Sequence, residues 1–238
     1  RFKECEARAL AELQGNWTDT RDNTALLVGN YVHSYFESKK AHEEFKAQNG
    51  SEMISTRGAT KGQLKKDYLV AEQMIDALKS DSNFMAIYQG EKEAAITGFL
   101  GEIEFKGKID CLNVERGYFV DIKTTKGQID DTIWNGEERV RWFEAYGYIL
   151  QMAAYKNMLE AKYNKPFEPI IYAVTKETPP DTRAIRIQNV DAMQMELDSL
   201  AQSIKRLDDV KKGIEKPKPC GKCEYCRQNK LSVRVEIF

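Results

Sequence analysis

The chain has 238 residues, of which 42% are hydrophobic and 31% charged, which is enough to bury one well-packed globular core. No apolar run approaches the roughly 20 residues of a membrane span, and no secretory signal pattern opens the sequence. We therefore expect no membrane association and a cytoplasmic location. The 36 Lys and Arg residues are offset by 37 Asp and Glu residues. This balance excludes a uniformly basic nucleic-acid-binding protein, so any DNA contact must come from an uneven distribution of charge.

The first part of the chain is predicted to be helical. Residues 1–13 place apolar side chains at helical spacing, and a longer helix is predicted over residues 24–48. On that helix Gly29, His33 and Glu37 follow one another at intervals of four residues and therefore share a face. From this segment alone, His33 is interpreted as a core histidine with satisfied hydrogen bonds rather than as a ligand.

A helix and three strands are predicted next. Residues 49–61 are polar and are expected to form a loop, whereas residues 62–79 carry an apolar stripe at helical spacing. The pattern then changes to short apolar runs separated by glycine-containing turns, which is typical of an antiparallel meander. The three predicted strands cover residues 91–99, 101–113 and 117–125.

Two acidic residues and a lysine lie in the second and third of these strands. Lys123 follows Asp121 by two residues, so the two share a face, and Asp110 lies in the neighbouring strand. Carboxylates are the ligands that Mg²⁺ prefers. A bound ion activates water while a lysine orients the nucleophile or steadies developing charge. The pattern predicts a phosphodiesterase site, although a single Asp-x-Lys is also common in surface ion pairs. Nearby glutamates are interpreted as exposed: Glu93, Glu102 and Glu104.

The stretch after the meander combines a loop with a strong helix pattern. Residues 126–140 are predicted to be irregular, and Trp134 within them is interpreted as an aromatic residue that covers the core, with base stacking as the alternative. One continuous helix is predicted over residues 141–163. On it Gln151 and Tyr155 are neighbours, and Gln151 interrupts an apolar run, which calls for a polar partner in the interior.

The last regular elements complete an alternation of strands and helices. Strands are predicted over residues 169–177 and 182–190, and a helix over residues 191–212. The order of elements indicates an α/β or α+β fold with a mixed central sheet flanked by helices.

Three cysteines stand close together near the end of the chain. Cys220, Cys223 and Cys226 form two successive C-x2-C steps, and in a reducing cytoplasm this spacing indicates thiolate ligation of a metal rather than disulfides. The fourth ligand is either Cys5 or Cys111, and Cys5 is preferred because Cys111 is expected to point into the core. Four thiolates suit an iron–sulfur cluster or a tetrahedral Zn²⁺ ion.

Four short motifs in order resemble those of the PD-(D/E)xK nucleases of the RecB and RecE type. The sequences are GNYVH at 29–33, GKID at 107–110, DIKT at 121–124 and QMAAY at 151–155. The segment FKECEARAL near the start and the cysteine trio also resemble the iron–sulfur branch of these nucleases. The most similar group is that of the phage- and prophage-encoded RecE-like exonucleases.

The resemblance implies a restriction-endonuclease-like core and a role for each motif residue. It implies that His33, Asp110, Asp121 and the backbone carbonyl of Ile122 bind Mg²⁺ or Mn²⁺, and that Lys123 is the catalytic lysine. It further implies that two residues lie near the active site and help hold DNA: Gln151 and Tyr155. Asp121 stands where many relatives carry Glu, so the charge is kept and the reach is shorter.

The resemblance also implies a cofactor and a domain plan. A single nuclease domain is expected over residues 1–238, with a cysteine segment at 214–230 tied to the N-terminal helix. The cluster-binding or zinc-binding set consists of Cys5, Cys220, Cys223 and Cys226. The C-x2-C-x2-C spacing is tighter than the C-x2-C-x5-C of other iron–sulfur members.

The function implied by the resemblance is metal-dependent degradation of DNA. We expect an exonuclease that resects linear duplex ends for phage recombination, with a single-strand annealing recombinase as partner. A homo-oligomer is one option for the assembly, and a ring would favour processive digestion. Two alternatives stay open. One is a DNA-binding module with a structural zinc and no turnover, and the other is an endonuclease or a nuclease of the CRISPR-adaptation type.

Overall fold

The structure, a computed structural model, describes residues 1–19 and 23–230. The chain divides into two compact units. The sheet unit comprises residues 23–197, and the cysteine unit comprises the described residues among 1–22 and 198–238. The expectation of one domain over the whole chain stays a prediction, and its parts at 20–22 and 231–238 lie outside the described residues.

The sheet unit is built on a five-stranded mixed sheet. The strands are β1 (Glu91–Leu100), β2 (Ile103–Asn113), β3 (Tyr118–Thr125), β6 (Glu168–Thr175) and β7 (Thr182–Arg186), and they lie in the order β1-β2-β3-β6-β7. Only β3 and β6 pair in parallel, and the other neighbours are antiparallel. The prediction of an α/β fold with a mixed central sheet is confirmed.

Helices cover both faces of this sheet. One face packs against α2 (Thr24–Glu37), α3 (Lys39–Met53), α4 (Lys66–Ser80) and α5 (Ser82–Ile87), and the other against α6 (Trp142–Ala145), α7 (Tyr148–Tyr163) and the start of α8 (Val190–Lys211). Side chains alternate between the two cores along β3, where Phe119 faces α7 while Val120 and Ile122 face α2 and α4. Burying each such side chain contributes about 1.5–3 kcal/mol.

The β2–β3 turn has the conformation that its sequence requires. Gly117 adopts a positive φ of 70°, which favours glycine because a Cβ atom would be strained there. The side chain of Asn113 accepts a hydrogen bond from the backbone N–H of Arg116 at 2.9 Å. These contacts hold the two strands in register, with Cys111 opposite Val120.

Two helices that were predicted to be continuous are each interrupted. Ser38 is extended, at φ −167° and ψ 159°, and its side chain accepts a hydrogen bond from the N–H of Ala41 at 3.0 Å. It therefore caps a new helix. Gly147 has a positive φ of 72° and separates α6 from α7. The predictions of single helices over 24–48 and 141–163 were wrong at these two points.

The predicted loop at 126–140 contains a small hairpin. Strands β4 (Thr132–Trp134) and β5 (Arg139–Arg141) pair in antiparallel fashion. The side chain of Asn135 accepts hydrogen bonds from the N–H groups of Glu137 and Glu138, both at 2.9 Å. An Asn-Gly pair between apolar runs is a hairpin signal. Trp134 is 59% exposed, so its interpretation as a residue that covers the core was wrong.

The cysteine unit contains α1 (Glu6–Leu13), α9 (Glu224–Gln228) and the part of α8 from residue 198 onwards. Arg206 on α8 pairs with Glu6 at 2.7 Å and with Glu215. The small core around α1 and α9 consists of Cys5, Ala7 and Cys226, with the partly buried Tyr225 against it. None of the helices within residues 1–19 and 23–230 is long and apolar enough to cross a membrane.

Candidate active site and cysteine cluster

Asp110 is held at the point where β2 meets β3. Its Oδ2 accepts a hydrogen bond from the backbone N–H of Ile122 at 2.7 Å, and the Tyr88 hydroxyl donates to the Asp110 backbone carbonyl at 3.2 Å. The Asp110 side chain is only 11% exposed. The carboxylate is therefore fixed by the backbone of the neighbouring strand before any ligand arrives.

His33 on α2 contacts the same carboxylate. Its Nδ1 lies 3.1 Å from Asp110 Oδ2, and its side chain is 28% exposed. Burial lowers the pKa of His33, but the charge of Asp110 more than offsets this and holds the pKa above its ordinary value. Conversely, burial raises the pKa of Asp110, but His33 and the N–H of Ile122 bring it below the usual range. His33 is thus partly exposed and paired with a buried acid rather than enclosed in the core, and its role as a metal ligand stays a prediction.

Asp121, Lys123 and Gln151 form one hydrogen-bonded network. Lys123 Nζ donates to Gln151 Oε1 at 2.9 Å, and Gln151 Nε2 donates to Asp121 Oδ1 at 2.8 Å and to the Tyr155 hydroxyl at 3.3 Å. The polar partner that Gln151 requires is therefore the Asp-x-Lys pair on β3. Both groups of the Gln151 amide are used, so its orientation is fixed.

One oxygen of this network keeps free accepting capacity. Lys123 Nζ lies 2.7 Å from Asp121 Oδ2 in an ion pair, and no further group among the described residues forms a hydrogen bond with that buried oxygen. Burial raises the pKa of Asp121 to about 6, and the nearby charge of Asp110 adds to the rise. A carboxylate oxygen has two lone pairs, so a buried oxygen with one partner can still bind a ligand.

Lys123 lies between this acid and an aromatic ring. Its Nζ lies 4.4 Å from the centroid of the Tyr148 ring, which is a favourable cation–π distance. Burial lowers the pKa of Lys123, but the charge of Asp121 more than offsets this, so its pKa lies above the ordinary value. Lys123 is therefore a fixed ammonium group.

Ile122 lies between Asp121 and Lys123 in β3 and is fully buried. The structure shows its N–H bonded to Asp110. The role of its carbonyl as a metal ligand stays a prediction.

A groove of about 430 Å³ opens beside His33 and Asp110, and Glu37, Glu93 and Lys108 also line it. Glu93 forms an ion pair with Lys108. Its neighbours Lys92 and Ala94 pair with Cys111 and Ile109, so Glu93 lies opposite Asp110.

Glu93 is not the exposed residue that the sequence analysis expected. Its side chain is 13% exposed and its backbone has a positive φ of 53°. Burial and the charge of Asp110 raise its pKa. Glu102 and Glu104 are exposed as expected. Strand alternation alone did not distinguish the three glutamates.

The donor set of the sheet unit fits a hard divalent cation. His33 Nδ1 contacts Asp110 Oδ2, and Asp121 lies on the paired strand, close enough for the charge of Asp110 to raise its pKa. Oxygen ligands of this kind suit Mg²⁺ and Mn²⁺, and an imidazole is compatible with Mn²⁺ in particular. The residues present therefore fit the metal ion that this arrangement implies.

Four cysteines converge in the cysteine unit. The Sγ atoms of Cys5, Cys220, Cys223 and Cys226 all lie within 4.8 Å of one another. Cys226 Sγ lies 3.6 Å from Cys5 Sγ and 4.0 Å from Cys220 Sγ. Hydrogen bonding from the backbone N–H of Lys222 lowers the pKa of Cys220 to about 6, which favours a thiolate.

These separations fit one ion at the centre of the four sulfurs. A Zn–S bond of about 2.3 Å in a tetrahedral site places neighbouring sulfurs about 3.8 Å apart. A cubane cluster carries each thiolate on a different iron and so requires wider separations. Cys111 is not part of the set, since it is buried in the core of the sheet unit with Lys92 Nζ 3.2 Å from its Sγ.

Comparison with known proteins identifies the family. The family model described as "PDDEXK-like domain of unknown function (DUF3799)" matches residues 1–229. The chain belongs to this family. Membership places it in the PD-(D/E)xK nuclease superfamily and agrees with the mixed sheet and its buried acids.

A solved structure also resembles this chain over nearly all of its length. The crystal structure of "Putative exonuclease" from Eubacterium rectale shares 30% sequence identity, covers 98% of this chain and 84% of its own, and has a TM-score of 0.85. The crystal structure of SSO0001 shares 14% identity over 97% of this chain and 98% of its own, with a TM-score of 0.35, which is too low to carry an argument. No curated protein matches the sequence.

Proposed function

We propose that this PDDEXK-like protein is a metal-dependent deoxyribonuclease, and specifically an exonuclease that degrades duplex DNA from its ends. The observation that carries the proposal is a pair of buried acids on neighbouring strands beside one lysine: Asp110 contacts His33, and Asp121 Oδ2 has Lys123 as its single partner among the described residues. Digestion from ends is supported by the name of the similar Eubacterium rectale protein and by the resemblance to RecE-type nucleases.

The proposed ion site uses groups that the fold already holds in place. Asp110, Asp121 and His33 would bind the ion, and the carbonyl of Ile122 would complete the protein ligands. When bound, a divalent ion supplies activation of water and neutralisation of phosphate charge. Asp110 is fixed by the N–H of Ile122 and Asp121 by the amide of Gln151. Neither acid then has to reorganise on binding, which is the main requirement of an electrostatic site.

Lys123 acts on the phosphate side of the reaction. Its ammonium group is held by Gln151 and Asp121 and rests against the Tyr148 ring. From this position it donates a hydrogen bond that orients the attacking oxygen or stabilises the negative charge on the phosphoryl oxygens. Gln151 and Tyr155 are positioning residues in this proposal, because they touch the acid and the lysine.

The test compares two site variants with two matched surface variants. Lys123→Ala and Asp121→Asn are expected to lower the rate of duplex cleavage by about 10²–10³-fold. Lys40→Ala and Asp76→Asn make the same chemical changes at exposed positions of α3 and α4 and are expected to leave the rate unchanged. Each protein is incubated with linear duplex DNA in Mg²⁺, in Mn²⁺ and in EDTA, and thermal unfolding verifies that each variant is folded.

The form of the DNA separates the remaining alternatives. Cutting of linear but not of closed circular DNA supports the exonuclease. Cutting of closed circles would replace it with an endonuclease. Binding of DNA without any cutting in either metal, with wild type and Lys123→Ala alike, would overturn the proposal and leave the binding module.

The resemblance to RecE-type nucleases supports two further parts of the proposal. One is action in phage recombination with a single-strand annealing protein that takes up the resected strand, and the other is a homo-oligomeric ring. Light scattering of the purified protein measures the oligomeric state. Co-purification with an annealing protein tests the partner, and a monomer that binds no such protein would contradict both.

We also propose that the four cysteines bind a single Zn²⁺ ion in preference to an iron–sulfur cluster. The support is the close approach of their sulfurs. Metal analysis of anaerobically purified protein is expected to give one zinc per chain without the visible absorption of a cluster. Cys220→Ala is expected to lose the metal, whereas Cys111→Ala keeps it. About four irons and inorganic sulfide per chain would contradict the zinc assignment.

A further inference from the structure

Three aromatic rings form a ladder whose middle ring contacts Lys123. Trp142 is buried, and its indole N–H donates to the Ile129 carbonyl at 2.9 Å. The Tyr148 ring meets Trp142 edge-on at a centroid distance of 6.0 Å, and the Tyr146 ring meets Tyr148 edge-on at 6.1 Å. The ladder therefore extends from a fixed core residue to the surface.

The middle ring ties this ladder to the proposed active site. Lys123 Nζ lies over the Tyr148 ring at 4.4 Å and 2.7 Å from Asp121 Oδ2. Tyr148 is half-buried, and burial raises its pKa, so the ring is neutral at ordinary pH. A strand whose phosphate reaches Lys123 brings the sugar and base next to that phosphate towards the same rings.

The outer ring belongs to Tyr146, which is exposed and lies in the short connection between α6 and α7. Tyr146 is 60% exposed, although such residues are normally more buried. It follows the last residue of α6 and precedes Gly147, whose positive φ of 72° begins α7 in a new direction. The contact with Tyr148 thus leaves more than half of Tyr146 open to a ligand.

We propose that Tyr146, supported by Tyr148, stacks on the nucleobase next to the phosphodiester bond that is cut. The proposal rests on the nuclease function proposed above and adds the group that positions the strand end. A ring accepts any base, because every base has a π-face, and stacking therefore suits digestion that is independent of sequence. Tyr146 is a binding residue in this account, and Lys123 remains the catalytic one.

The test removes the Tyr146 ring and the nucleobase next to the cut bond, first separately and then together. Short duplexes carry one abasic site at each of the first few positions from the end, and KM and kcat are measured for wild type and Tyr146→Ala. Loss of either partner of a stacked pair is expected to raise KM about tenfold. Loss of both is expected to cost no more than loss of one, because they form a single interaction. Tyr146→Phe keeps the ring and is expected to rescue the KM loss of Tyr146→Ala.

A second exposed aromatic residue supplies the control. Phe99 is 66% exposed on β1, and its partner Glu104 lies six residues before Asp110 along β2, roughly 20 Å away at the rise of a strand. Phe99→Ala is expected to leave KM unchanged on every substrate.

Each outcome decides between the two proposals. If wild type cuts DNA but the losses from Tyr146→Ala and the abasic site multiply at every position, the stacking proposal is overturned and the nuclease stands. The same holds if Tyr146→Phe is as defective as Tyr146→Ala. If wild type cuts no DNA, both proposals are overturned. The abasic series on wild type gives an answer even if a variant does not fold.

Discussion

The two candidate metal sites of this protein are built in opposite ways. In the sheet unit, Asp110 and Asp121 lie on paired strands between two apolar cores and are oriented by backbone and side-chain hydrogen bonds. In the cysteine unit, the thiols of Cys5 and Cys226 themselves form the small core around α1 and α9. The fold creates the first site, whereas the second site helps to create the fold around it.

The largest expected effect is therefore the loss of structure on removal of a cysteine ligand. Structural zinc contributes roughly 10 kcal/mol or more of apparent binding free energy to small domains, so Cys226→Ser is expected to unfold the region around α1 and α9 while the sheet unit keeps its protection. Hydrogen exchange with mass spectrometry, with and without a zinc chelator, measures both regions. Equal protection of α1 in wild type and variant would contradict the comparison.

The next effect concerns activity without unfolding. Gln151→Leu leaves Asp121 Oδ1 and Lys123 Nζ without their amide partner, and loss of such a supporting contact typically costs 10–100-fold. We expect kcat to fall by that amount with little change in KM. Gln73→Leu, on an exposed position of α4, is the matched control. A normal kcat for Gln151→Leu would mean that the strands alone orient the site.

Much of the first site could be predicted from sequence because its signals are local. Strand alternation and a two-residue spacing placed Asp121 beside Lys123, and they lie 2.7 Å apart. Gln151 is a polar residue in an apolar helical run, and this pattern predicted a buried polar partner. The partner is the Asp-x-Lys pair. The C-x2-C-x2-C steps likewise brought three thiols together within a few residues.

What the sequence did not reveal depends on elements that meet only in three dimensions. The contact of His33 with Asp110 joins α2 to β2; the local pattern does not distinguish His33 from a core histidine, and only the family resemblance grouped the two residues. The exposure of Trp134 was missed because it depends on whether another element covers β4. Tyr148 was missed for the same reason, since its ring becomes relevant only where it meets Lys123.

A smaller effect, on stability, tests whether hydrogen bonds within the protein stabilise the sheet unit without help from a metal ion. Asp81 caps α5 through the N–H of Asn83 at 2.9 Å and accepts from the hydroxyls of Tyr172 at 2.5 Å and Thr182 at 2.6 Å. Asp81→Ala removes a helix cap and leaves two hydroxyls without their acceptor, so we expect a loss of about 2 kcal/mol in the free energy of unfolding. Asp76→Ala, on exposed α4, is the control.

The loss of unfolding free energy in Asp81→Ala is expected to depend on pH. Burial raises the pKa of Asp81, but the hydroxyls of Thr182 and Tyr172 more than offset this and bring it below the ordinary value of 3.8. A lowered folded-state pKa stabilises the protein above the unfolded-state pKa, and the stabilisation disappears as the pH falls through the folded-state pKa. The gap between wild type and Asp81→Ala in denaturant unfolding is thus expected to be constant above about pH 5 and to shrink below pH 3.8. A gap that widens in acid would contradict this assignment.

The smallest effect tests how strongly side-chain packing around Tyr155 controls the candidate active site of the sheet unit. A Cβ atom at Gly107 would overlap the ring of Tyr155, whose hydroxyl accepts a hydrogen bond from Gln151 at 3.3 Å. Gly107→Ala is therefore expected to displace the ring, to cost about 1 kcal/mol of stability and to lower kcat about tenfold. Gly50→Ala, where nothing lies within 4 Å of the added atom, is expected to be neutral. Tyr155→Phe should reproduce the loss in kcat, and the double variant should lose no more than either single one, because all three remove the same hydrogen bond.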